Sequence, residues 1–517
     1  MSFEMIFVLV ALTGMVAALI WDKMRPGMVL LTVVVLFLCV GILSPKEMLE
    51  GFSNKGMITV GLLFLVSEGV RQSGALEKLI KVLLPQGKTT IFKSQLRILP
   101  SVAFISAFLN NTPVVVIFAP IIKRWAETVK LSATKFLIPL SYMTILGGVC
   151  TLIGTSTNLV VHGMILESGH AGLTMFELSK IGLPIAAVGI VYILLFSNKL
   201  LPDSRNSSLE EEGEDSPASN LHIVEAVLGS RFPGINKTLG EFNFARHYGA
   251  MVKEVRSGGQ RYTQDLNAIK LNEGDTLVLW ADETFIPTWG DSSVFIMLAN
   301  GSERENNTSN FKRWFALILL VLMITGATLG ELPFVKEAIP GMQLDMFFFV
   351  CITTIIMAWT KLFPPKKYTK YISWDILITI ACAFAISKAM ENSGFAAMTA
   401  GYIINLSGSI GPHALLAILF IVTNIFTELI TNNAAAALSF PIALSVATQL
   451  GVDPMPFFVL VCIAASASFS CPIGYQTNLI VQGVGGYKFT DFVKFGLPLN
   501  IIVLIMSVIL IPIIWKF

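Results

Sequence analysis

Stretches of apolar residues long enough to cross a lipid bilayer recur along the chain, and they restrict its fold more than any other feature. Five of them are residues 5–21, 27–43, 176–200, 311–329 and 495–513. A membrane-spanning helix needs about 20 predominantly apolar residues. Charged residues make up 14% of the 517 residues, whereas soluble proteins carry roughly 25%. The sequence therefore predicts a polytopic α-helical membrane protein in contact with the lipid bilayer.

The composition excludes several classes of function. The formal net charge is only +2, and no basic surface of the size that nucleic-acid binding needs is apparent, so we expect no nucleic-acid partner. Paired catalytic carboxylates, a metal cluster and a nucleophile with its base are all lacking, so we do not expect an enzyme. The cysteines lie singly in apolar segments, which favours core residues over disulfides or a metal site; they are Cys39, Cys150, Cys351, Cys382, Cys462 and Cys471.

The composition also changes twice along the chain and so divides it. A polar, acidic stretch has the character of a linker, and the residues after it alternate like short strands separated by turns. The predicted order is membrane repeat 1 (1–202), an acidic linker (203–220), a small soluble α/β domain (221–297), a second linker (298–310) and membrane repeat 2 (311–517).

Basic loops indicate the orientation of the spans. Lys and Arg cluster at 71–97, 123–135 and 361–370, and such clusters mark the cytoplasmic side. Basic and non-basic loops alternate between the two sides of the membrane only if residues 98–130 enter and leave on the cytoplasmic side as a re-entrant hairpin. Each half then has five spans plus one hairpin, and the two halves are inverted relative to each other. We expect a multi-pass plasma-membrane protein with its N-terminus outside and the soluble domain in the cytoplasm.

Internal similarity supports this arrangement. Four segments of the first half match four of the second in the same order: 67–75 with 387–395, 109–121 with 430–442, 151–163 with 471–483, and 180–184 with 494–498. The first three pairs are offset by 320, 321 and 320 positions. The sequence therefore predicts two inverted repeats, a feature of many secondary transporters.

Four polar interruptions occur at matching places in the two repeats: 110–113, 154–158, 431–433 and 474–478. Unsatisfied backbone groups in hydrocarbon cost several kcal/mol, so broken helices persist only where they are buried in protein or line a cavity. Carbonyl, amide and hydroxyl oxygens suit a cation such as Na⁺, and amides at helix N-termini suit an anion. One such break would more often join two helices, whereas four in symmetric pairs favour a transport site with two cations flanking one anion.

A single acidic residue near these breaks leaves a second function open. Glu428 lies three residues before the third break, and the first repeat has no acid at the equivalent position. An ionisable residue inside the membrane is a candidate for function. The alternative prediction is therefore a cation/proton antiporter on the same scaffold that uses Glu428.

These motifs resemble the divalent anion:sodium symporter family of the ion transporter superfamily. That family has Ser-Asn-Thr at the tip of each of two hairpins and a Gly-containing break in the helix that follows. Here the tips read Asn110-Asn111-Thr112 and Thr431-Asn432-Asn433. The resemblance covers both membrane halves and implies a homodimer, in which each protomer has a scaffold part and a transport part that moves like an elevator.

Carried over motif by motif, the resemblance implies three binding sites. The first Na⁺ site would use Ser106, Asn110, Asn111 and Gly154, and the second Thr427, Thr431, Asn432 and Gly474. The anion site would use Asn111, Thr112, Thr155, Ser156, Asn432, Asn433, Tyr475 and Gln476. Ser106 and Thr427 lie one helical turn before their motifs, which is consistent with this geometry. Asn433 has an amide where the family motif has a hydroxyl side chain, and we expect this residue to select the substrate.

The soluble segment 221–297 resembles the C-terminal regulatory domain (RCK-C or TrkA-C) of potassium-transport regulators, at 234–239, Tyr248-Gly249 and 274–277. This resemblance implies dimerisation and a small regulatory ligand, and transporters of the family with such an insert are linked to sulfate. The leading hypothesis is a sodium-coupled symporter that imports a divalent anion, sulfate first and a C4 dicarboxylate second, under the control of this domain.

Overall fold

The computed structural model describes residues 2–21, 24–203, 221–229, 231–282, 284–289, 294–300, 309–338, 342–407 and 411–517. The predicted acidic linker 203–220 lies outside the described residues apart from Asp203. Residues 301–308 of the second predicted linker also lie outside them.

Ten helices form the described part of the first half: α1 (Phe3–Trp21), α2 (Pro26–Val40), α3 (Pro45–Glu50), α4 (Lys55–Gln72), α5 (Ala75–Leu83), α6 (Ile91–Ser106), α7 (Asn111–Thr128), α8 (Thr134–Gly148), α9 (Ser156–Glu167) and α10 (Ser179–Leu200). Local chemistry sets several of their ends. Pro26 begins α2, where its missing amide hydrogen costs nothing, and Gly41 ends it with φ 82°, a conformation that glycine adopts readily.

A region of short strands and helices follows, which we call the sheet region: β1 (His222–Leu228), α11 (Leu239–Phe242), α12 (Phe244–Tyr248), β2 (Met251–Ser257), β3 (Gln260–Tyr262), β4 (Thr276–Ala281), α13 (Phe285–Trp289) and β5 (Phe295–Asn300). Its strands form one antiparallel sheet in the order β3-β2-β4-β1-β5. β5 runs three residues past the boundary expected at 297, because its pairing with β1 continues to Asn300.

Eleven helices form the described part of the second half: α14 (Asn310–Gly330), α15 (Pro333–Ala338), α16 (Met346–Trp359), α17 (Tyr368–Tyr371), α18 (Trp374–Asn392), α19 (Phe395–Ser407), α20 (Pro412–Leu429), α21 (Asn432–Leu450), α22 (Met455–Ser466), α23 (Gln476–Gly485) and α24 (Phe489–Ile514).

Several helices have the length and composition of membrane spans. Within the described residues there are six: Phe3–Trp21, Pro45–Gln72, Ser179–Leu200, Asn310–Gly330, Asn432–Leu450 and Phe489–Ile514. A seventh results if Pro365–Tyr371 and Trp374–Asn392, which meet at 57°, form one span. The prediction of a helical chain with several membrane-spanning segments is confirmed, and the count of five spans in each half stays a prediction.

Two central helices position the breaks. All of α8 is buried, as are residues 456–466 of α22, and a helix buried all round belongs to the interior of a bundle. α6 and α7 pack on α8, and α20 and α21 pack on α22. The halves also exchange contacts, because α9 packs on α21 and α23 packs on α7. Each interrupted helix therefore lies against the hairpin of the other half.

Candidate substrate and cation site at the helix breaks

The first hairpin breaks between α6 and α7. α7 begins at Asn111 with Pro113 in its first turn, where a missing amide hydrogen breaks no helical hydrogen bond. Ser106 Oγ, in the last residue of α6, lies 2.7 Å from Asn111 Oδ1 and 2.9 Å from the Thr144 carbonyl oxygen on α8. These contacts hold the tip of the hairpin against the central helix.

The second hairpin breaks in the same way between α20 and α21. Asn432 is the first residue of α21, and its Oδ1 lies 2.9 Å from Thr427 Oγ1. Thr427 Oγ1 also contacts the Ala465 carbonyl oxygen on α22. Thr427, Asn432 and Ala465 each lie 321 positions after their counterparts in the first half, which are Ser106, Asn111 and Thr144. The same two contacts therefore stabilise both tips.

An asparagine holds each unwound segment that follows a hairpin. Between α8 and α9, Asn158 Nδ2 donates to the carbonyl oxygens of Thr151 and Gly148, at 2.9 and 3.3 Å. Asn478 Nδ2 makes the equivalent pair of bonds 320 positions later, to the carbonyl oxygens of Cys471 and Ser468 at 3.2 and 2.8 Å. Unpaired carbonyls away from water are costly, so these amides make an interruption tolerable at this depth.

Glycine is required where the unwound segments approach the hairpins. A Cβ on Gly154 would lie 2.5 Å from the Gly148 carbonyl oxygen and 3.0 Å from that of Ala107. A Cβ on Gly474 would lie 2.5 Å from the Thr427 carbonyl oxygen. Two carbonyl oxygens therefore lie beside Gly154 and one beside Gly474, and unwound carbonyls are ligands that such transporters offer to Na⁺.

Side chains of the two halves meet between the breaks. Thr112 Oγ1 lies 3.3 Å from Gln476 Oε1, and Ser156 Oγ lies 3.2 Å from Asn433 Oδ1. Gln476 lies 320 positions after Ser156, and Asn433 lies 321 positions after Thr112. The two contacts are thus equivalent, with the roles of the halves exchanged.

Tyr475 lies in the middle of this cluster. Asn111 Nδ2 donates to the Tyr475 hydroxyl, Thr155 Oγ1 lies 3.3 Å from it, and Asn432 is a third hydrogen-bonding neighbour. Tyr475 is only 9% exposed. Because it contacts the asparagines of both hairpins, the eight residues that the sequence predicts for the anion lie in one cluster.

Four helices begin at this cluster: α7, α9, α21 and α23. A helix N-terminus carries unpaired amide hydrogens and about half a positive charge. The fourteen predicted site residues are all neutral. The groups that can hold an anion here are therefore backbone amides together with hydroxyl and side-chain amide donors.

Two predicted cation ligands precede the hairpin helices without capping them. The side chains of Asn110 and Thr431 make no capping hydrogen bond to α7 and α21. Thr431 Oγ1 is buried and has no hydrogen-bond partner within the described ranges. Because buried polar groups are normally paired, this oxygen is available to a ligand.

Sequence comparison identifies the family. The profile of the citrate transporter family (CitMHS) matches residues 16–354 and 334–517. The chain belongs to this family. The resemblance to anion and sodium symporters of the ion transporter superfamily is thereby confirmed. The resemblance of 221–297 to the RCK-C domain stays a prediction.

Alignments with three relatives cover more than half of the chain of this citrate transporter family member. An uncharacterized transporter of Synechocystis sp. is 30% identical over 93% of this chain and 92% of its own length. An uncharacterized transporter of Escherichia coli is 25% identical over the full length of both chains. Sodium/sulfate cotransporter 1 of Chlamydomonas reinhardtii is 30% identical over 58% of this chain and 34% of its own length. Family and relatives are transporters, so this chain is a multi-pass membrane transporter.

In this family member Glu428 is bound to the second unwound segment. One carboxylate oxygen, Oε1, accepts hydrogen bonds from the Ser470 amide at 2.9 Å and from Asn500 Nδ2 at 2.7 Å. The other, Oε2, lies 3.4 Å from Ser468 Oγ. The carboxylate thus stabilises the chain between α22 and α23, a positional role that its place in the sequence does not indicate.

Three asparagines that hold the site together are not among the fourteen predicted site residues. Asn158 and Asn478 end the predicted breaks 154–158 and 474–478 and repeat in register between the halves, and that repetition indicates a shared role for them. Asn500 lies on α24, 72 positions from Glu428, and nothing in its local sequence indicates the contact.

Proposed function

We propose that this protein is a sodium-coupled secondary active symporter that imports a divalent anion, with sulfate favoured and C4 dicarboxylates next, by an elevator-type movement. The observation that carries the proposal is the meeting of two hairpin tips and two interrupted helices from opposite halves. Thr112 with Gln476 and Ser156 with Asn433 are two of the side-chain contacts that join them. The printed name of the Chlamydomonas relative, a sodium/sulfate cotransporter, supports the choice of both ions.

The anion would be held by neutral donors. Amide hydrogens at the starts of α7, α9, α21 and α23 lie at the cluster around Tyr475, and the side-chain amides of Asn433 and Gln476, which accept through their oxygens, add donors. A divalent anion that loses its water needs such hydrogen bonds to replace hydration. Helix N-termini supply them together with a favourable electrostatic potential.

The two cations would lie beside the anion and make its binding favourable. One site would use Ser106, Asn110, Asn111 and Gly154, and the other Thr427, Thr431, Asn432 and Gly474. Because all these residues are neutral, two Na⁺ ions would balance the charge of a divalent anion in the buried site. Burial of unbalanced charge is expensive, which is a physical reason for coupling anion binding to Na⁺ binding.

The proposed movement divides the chain into two groups of helices. α6–α10 and α20–α24 contain the site and form the transport part, and α1–α5 and α14–α19 form the scaffold. The paired contacts at the breaks support two inverted repeats, each with five spans and a hairpin. In this arrangement the scaffold joins two protomers in a homodimer, the N-terminus lies outside, and the sheet region is a cytoplasmic regulatory domain with a small ligand.

Uptake of radiolabelled sulfate into proteoliposomes tests the proposal. We expect uptake to require an inward Na⁺ gradient and to be inhibited by unlabelled succinate. Citrate belongs in the same competition series because it gives the matched family its name. Asn111→Ala and Asn432→Ala should abolish uptake, whereas Asn405→Ala, on the exposed surface of α19, should leave it unchanged. Uptake that persists without Na⁺, or in both site variants, would contradict the proposal.

The antiporter alternative makes a different prediction for Glu428. The hydrogen bonds of its carboxylate to Ser470 and Asn500 supply a structural reason for an acid at this position, which favours the symporter. Glu428→Gln keeps an oxygen acceptor and removes the charge. A Na⁺-driven proton flux without added anion that disappears in this variant would support the antiporter.

A further inference from the structure

The sheet has two buried faces, although its own helices cover only one. Ala226 on β1 points into the apolar core of the sheet region, and adjacent residues point to the opposite face because side chains alternate along a strand. On that opposite face Val227 belongs to the apolar core of the membrane helices. Glu225, Glu254 and Arg256, which we call the charged face, are at most 9% exposed. The membrane helices therefore cover this side of the sheet.

A lysine of α7 completes the charged face. Lys123 Nζ lies 2.8 and 2.9 Å from the two carboxylate oxygens of Glu225. Arg256 donates to Glu225 at 2.9 Å and to Glu254 at 2.5 Å. Burial alone would raise the pKa of Glu225, but Lys123 and Arg256 outweigh burial and lower this pKa to about 2. Glu225 therefore stays ionised and bound to α7 at neutral pH.

α23 approaches the same sheet through glycine. A Cβ on Gly483 would lie 2.5 Å from the Gly274 carbonyl oxygen and 2.8 Å from Thr276 Oγ1. A Cβ on Gly274 would in turn lie 2.6 Å from the Leu479 side chain. Main chain thus touches main chain at this point, and any side chain at Gly483 would separate the two surfaces.

The two helices that the sheet region contacts are also two of the four that begin at the candidate site. α7 begins at Asn111 and comes from the first half, and α23 begins at Gln476 and comes from the second. Lys123 lies 12 residues after Asn111, about 18 Å along a helix. Near the site, neutral groups join the same two helices: Thr112 contacts Gln476, and Asn111 donates to Tyr475, the residue before α23.

We propose that the sheet region positions α7 and α23 relative to each other and thereby sets the affinity of the site for its anion. The inference rests on the proposed anion site and adds a role for the insert that needs no ligand of its own. The anion site uses residues of both halves, whereas each sodium site uses residues of one half. Loss of the contact should therefore weaken anion binding and leave Na⁺ binding unchanged.

Two variants of the full-length protein separate the sheet region from the helices independently. Lys123→Met removes the charge on α7 and keeps a stem of similar length, and Gly483→Ala places a methyl group against the Gly274 carbonyl. Matched controls are Lys78→Met, at an exposed position of α5, and Gly14→Ala, whose Cβ would meet nothing within 4 Å. Size-exclusion chromatography in detergent checks that all four variants are folded.

Hydrogen exchange and sulfate binding are then measured on the same samples. We expect faster amide exchange at the starts of α7 and α23 in both test variants, with no change at the starts of α9 and α21. Sulfate affinity should fall at least about threefold, with the Na⁺ affinity measured without sulfate unchanged. Unchanged exchange at α7 and α23, or a fall in Na⁺ affinity equal to that for sulfate, would overturn the inference. If the wild type binds neither sulfate, succinate nor citrate, the proposed function fails, and the exchange comparison still decides whether the sheet region positions the helices.

Discussion

At the scale of single residues, Asn433 is the residue of the second hairpin tip that replaces a hydroxyl by an amide. Its counterpart is Thr112, 321 positions earlier. Asn433 Oδ1 lies 3.2 Å from Ser156 Oγ and 3.4 Å from Thr157 Oγ1, so the amide oxygen can accept from two hydroxyl groups. An amide that accepts through Oδ1 still has two hydrogens to donate through Nδ2. Asn433 therefore narrows the site and can add a donor for a compact oxyanion.

We predict that Asn433→Thr changes selectivity more than total activity. The shorter side chain enlarges the site and removes the amide donor, so affinity for sulfate should fall by about tenfold relative to succinate, in keeping with roughly 1–3 kcal/mol for one lost contact. Competition between labelled sulfate and unlabelled succinate measures the ratio. Asn405→Thr is the surface control, and an unchanged ratio in Asn433→Thr would show that selectivity resides elsewhere.

At the scale of elements, the turn before β4 contains a buried acid at the boundary with α23. Asp275 is 5% exposed and accepts a hydrogen bond from the Asn272 amide at 2.7 Å. Burial raises the pKa of Asp275 from 3.8 to about 6, although hydrogen bonds from Ser257 and Asn272 act in the opposite direction. The folded sheet region therefore favours the protonated acid more than the unfolded chain does.

The sign of the pH dependence follows from this shift. The contribution of Asp275 to stability is complete below pH 3.8 and is lost as pH rises through about 6. The full shift corresponds to about 3 kcal/mol. The contribution of Glu225 is complete above pH 4.5 and is lost only as pH falls toward about 2, so it is nearly constant where Asp275 titrates.

We therefore predict that β4 becomes less protected from hydrogen exchange as pH rises from about 4 to about 6, after correction for the intrinsic pH dependence of exchange. Asp275→Asn keeps an acceptor for the Asn272 amide and removes the charge, so it should abolish this trend. An equal trend in wild type and Asp275→Asn would show that another group is responsible.

At the scale of the whole molecule, the proposed scaffold and transport parts meet where α4 contacts α9. A Cβ on Gly56 would lie 3.3 Å from Gly163 Cα, and a Cβ on Gly163 would lie 2.7 Å from Asn54 Oδ1. Glycine at both positions lets the two helices approach closely. An elevator-type movement requires that this contact breaks and forms again in every cycle.

We predict that a disulfide between Gly56→Cys and Gly163→Cys, in a background without the six native cysteines, stops transport reversibly. A Cβ at position 56 would lie 3.3 Å from the Cα of residue 163, so the two thiols can reach each other once the neighbouring oxygens shift. Uptake by the reduced variant checks that the added side chains are tolerated, and dithiothreitol should restore uptake after oxidation. The control pair is Gly61→Cys with Leu377→Cys, which joins α4 to α18 within the proposed scaffold and should leave uptake unchanged when oxidised. Full uptake by a protein that is completely cross-linked between α4 and α9 would contradict the elevator movement.

Much of the architecture could be predicted from the sequence, because it depends on local composition. Apolar stretches of membrane length predicted the helical fold, and Asn, Gly and Pro inside them predicted the breaks. The constant offset of 320 or 321 positions predicted that Ser106 and Thr427 have equivalent neighbours. The strand-rich region was visible as alternating residues between polar segments, although its expected boundary at 297 falls inside β5.

The sequence by itself determined which residues interrupt the helices and which positions of the two halves correspond, since periodicity and repetition are properties of the chain. Only the tertiary structure decided that Thr112 meets Gln476, that Glu428 meets Asn500, and that Lys123 meets the charged face of the sheet. Thr112 and Gln476 are 364 positions apart, and Glu428 and Asn500 are 72 positions apart. Lys123 is 102 positions from Glu225 of the charged face. Contacts at such separations are set by how the helices and the sheet pack on one another, because no local preference of the backbone extends over that distance.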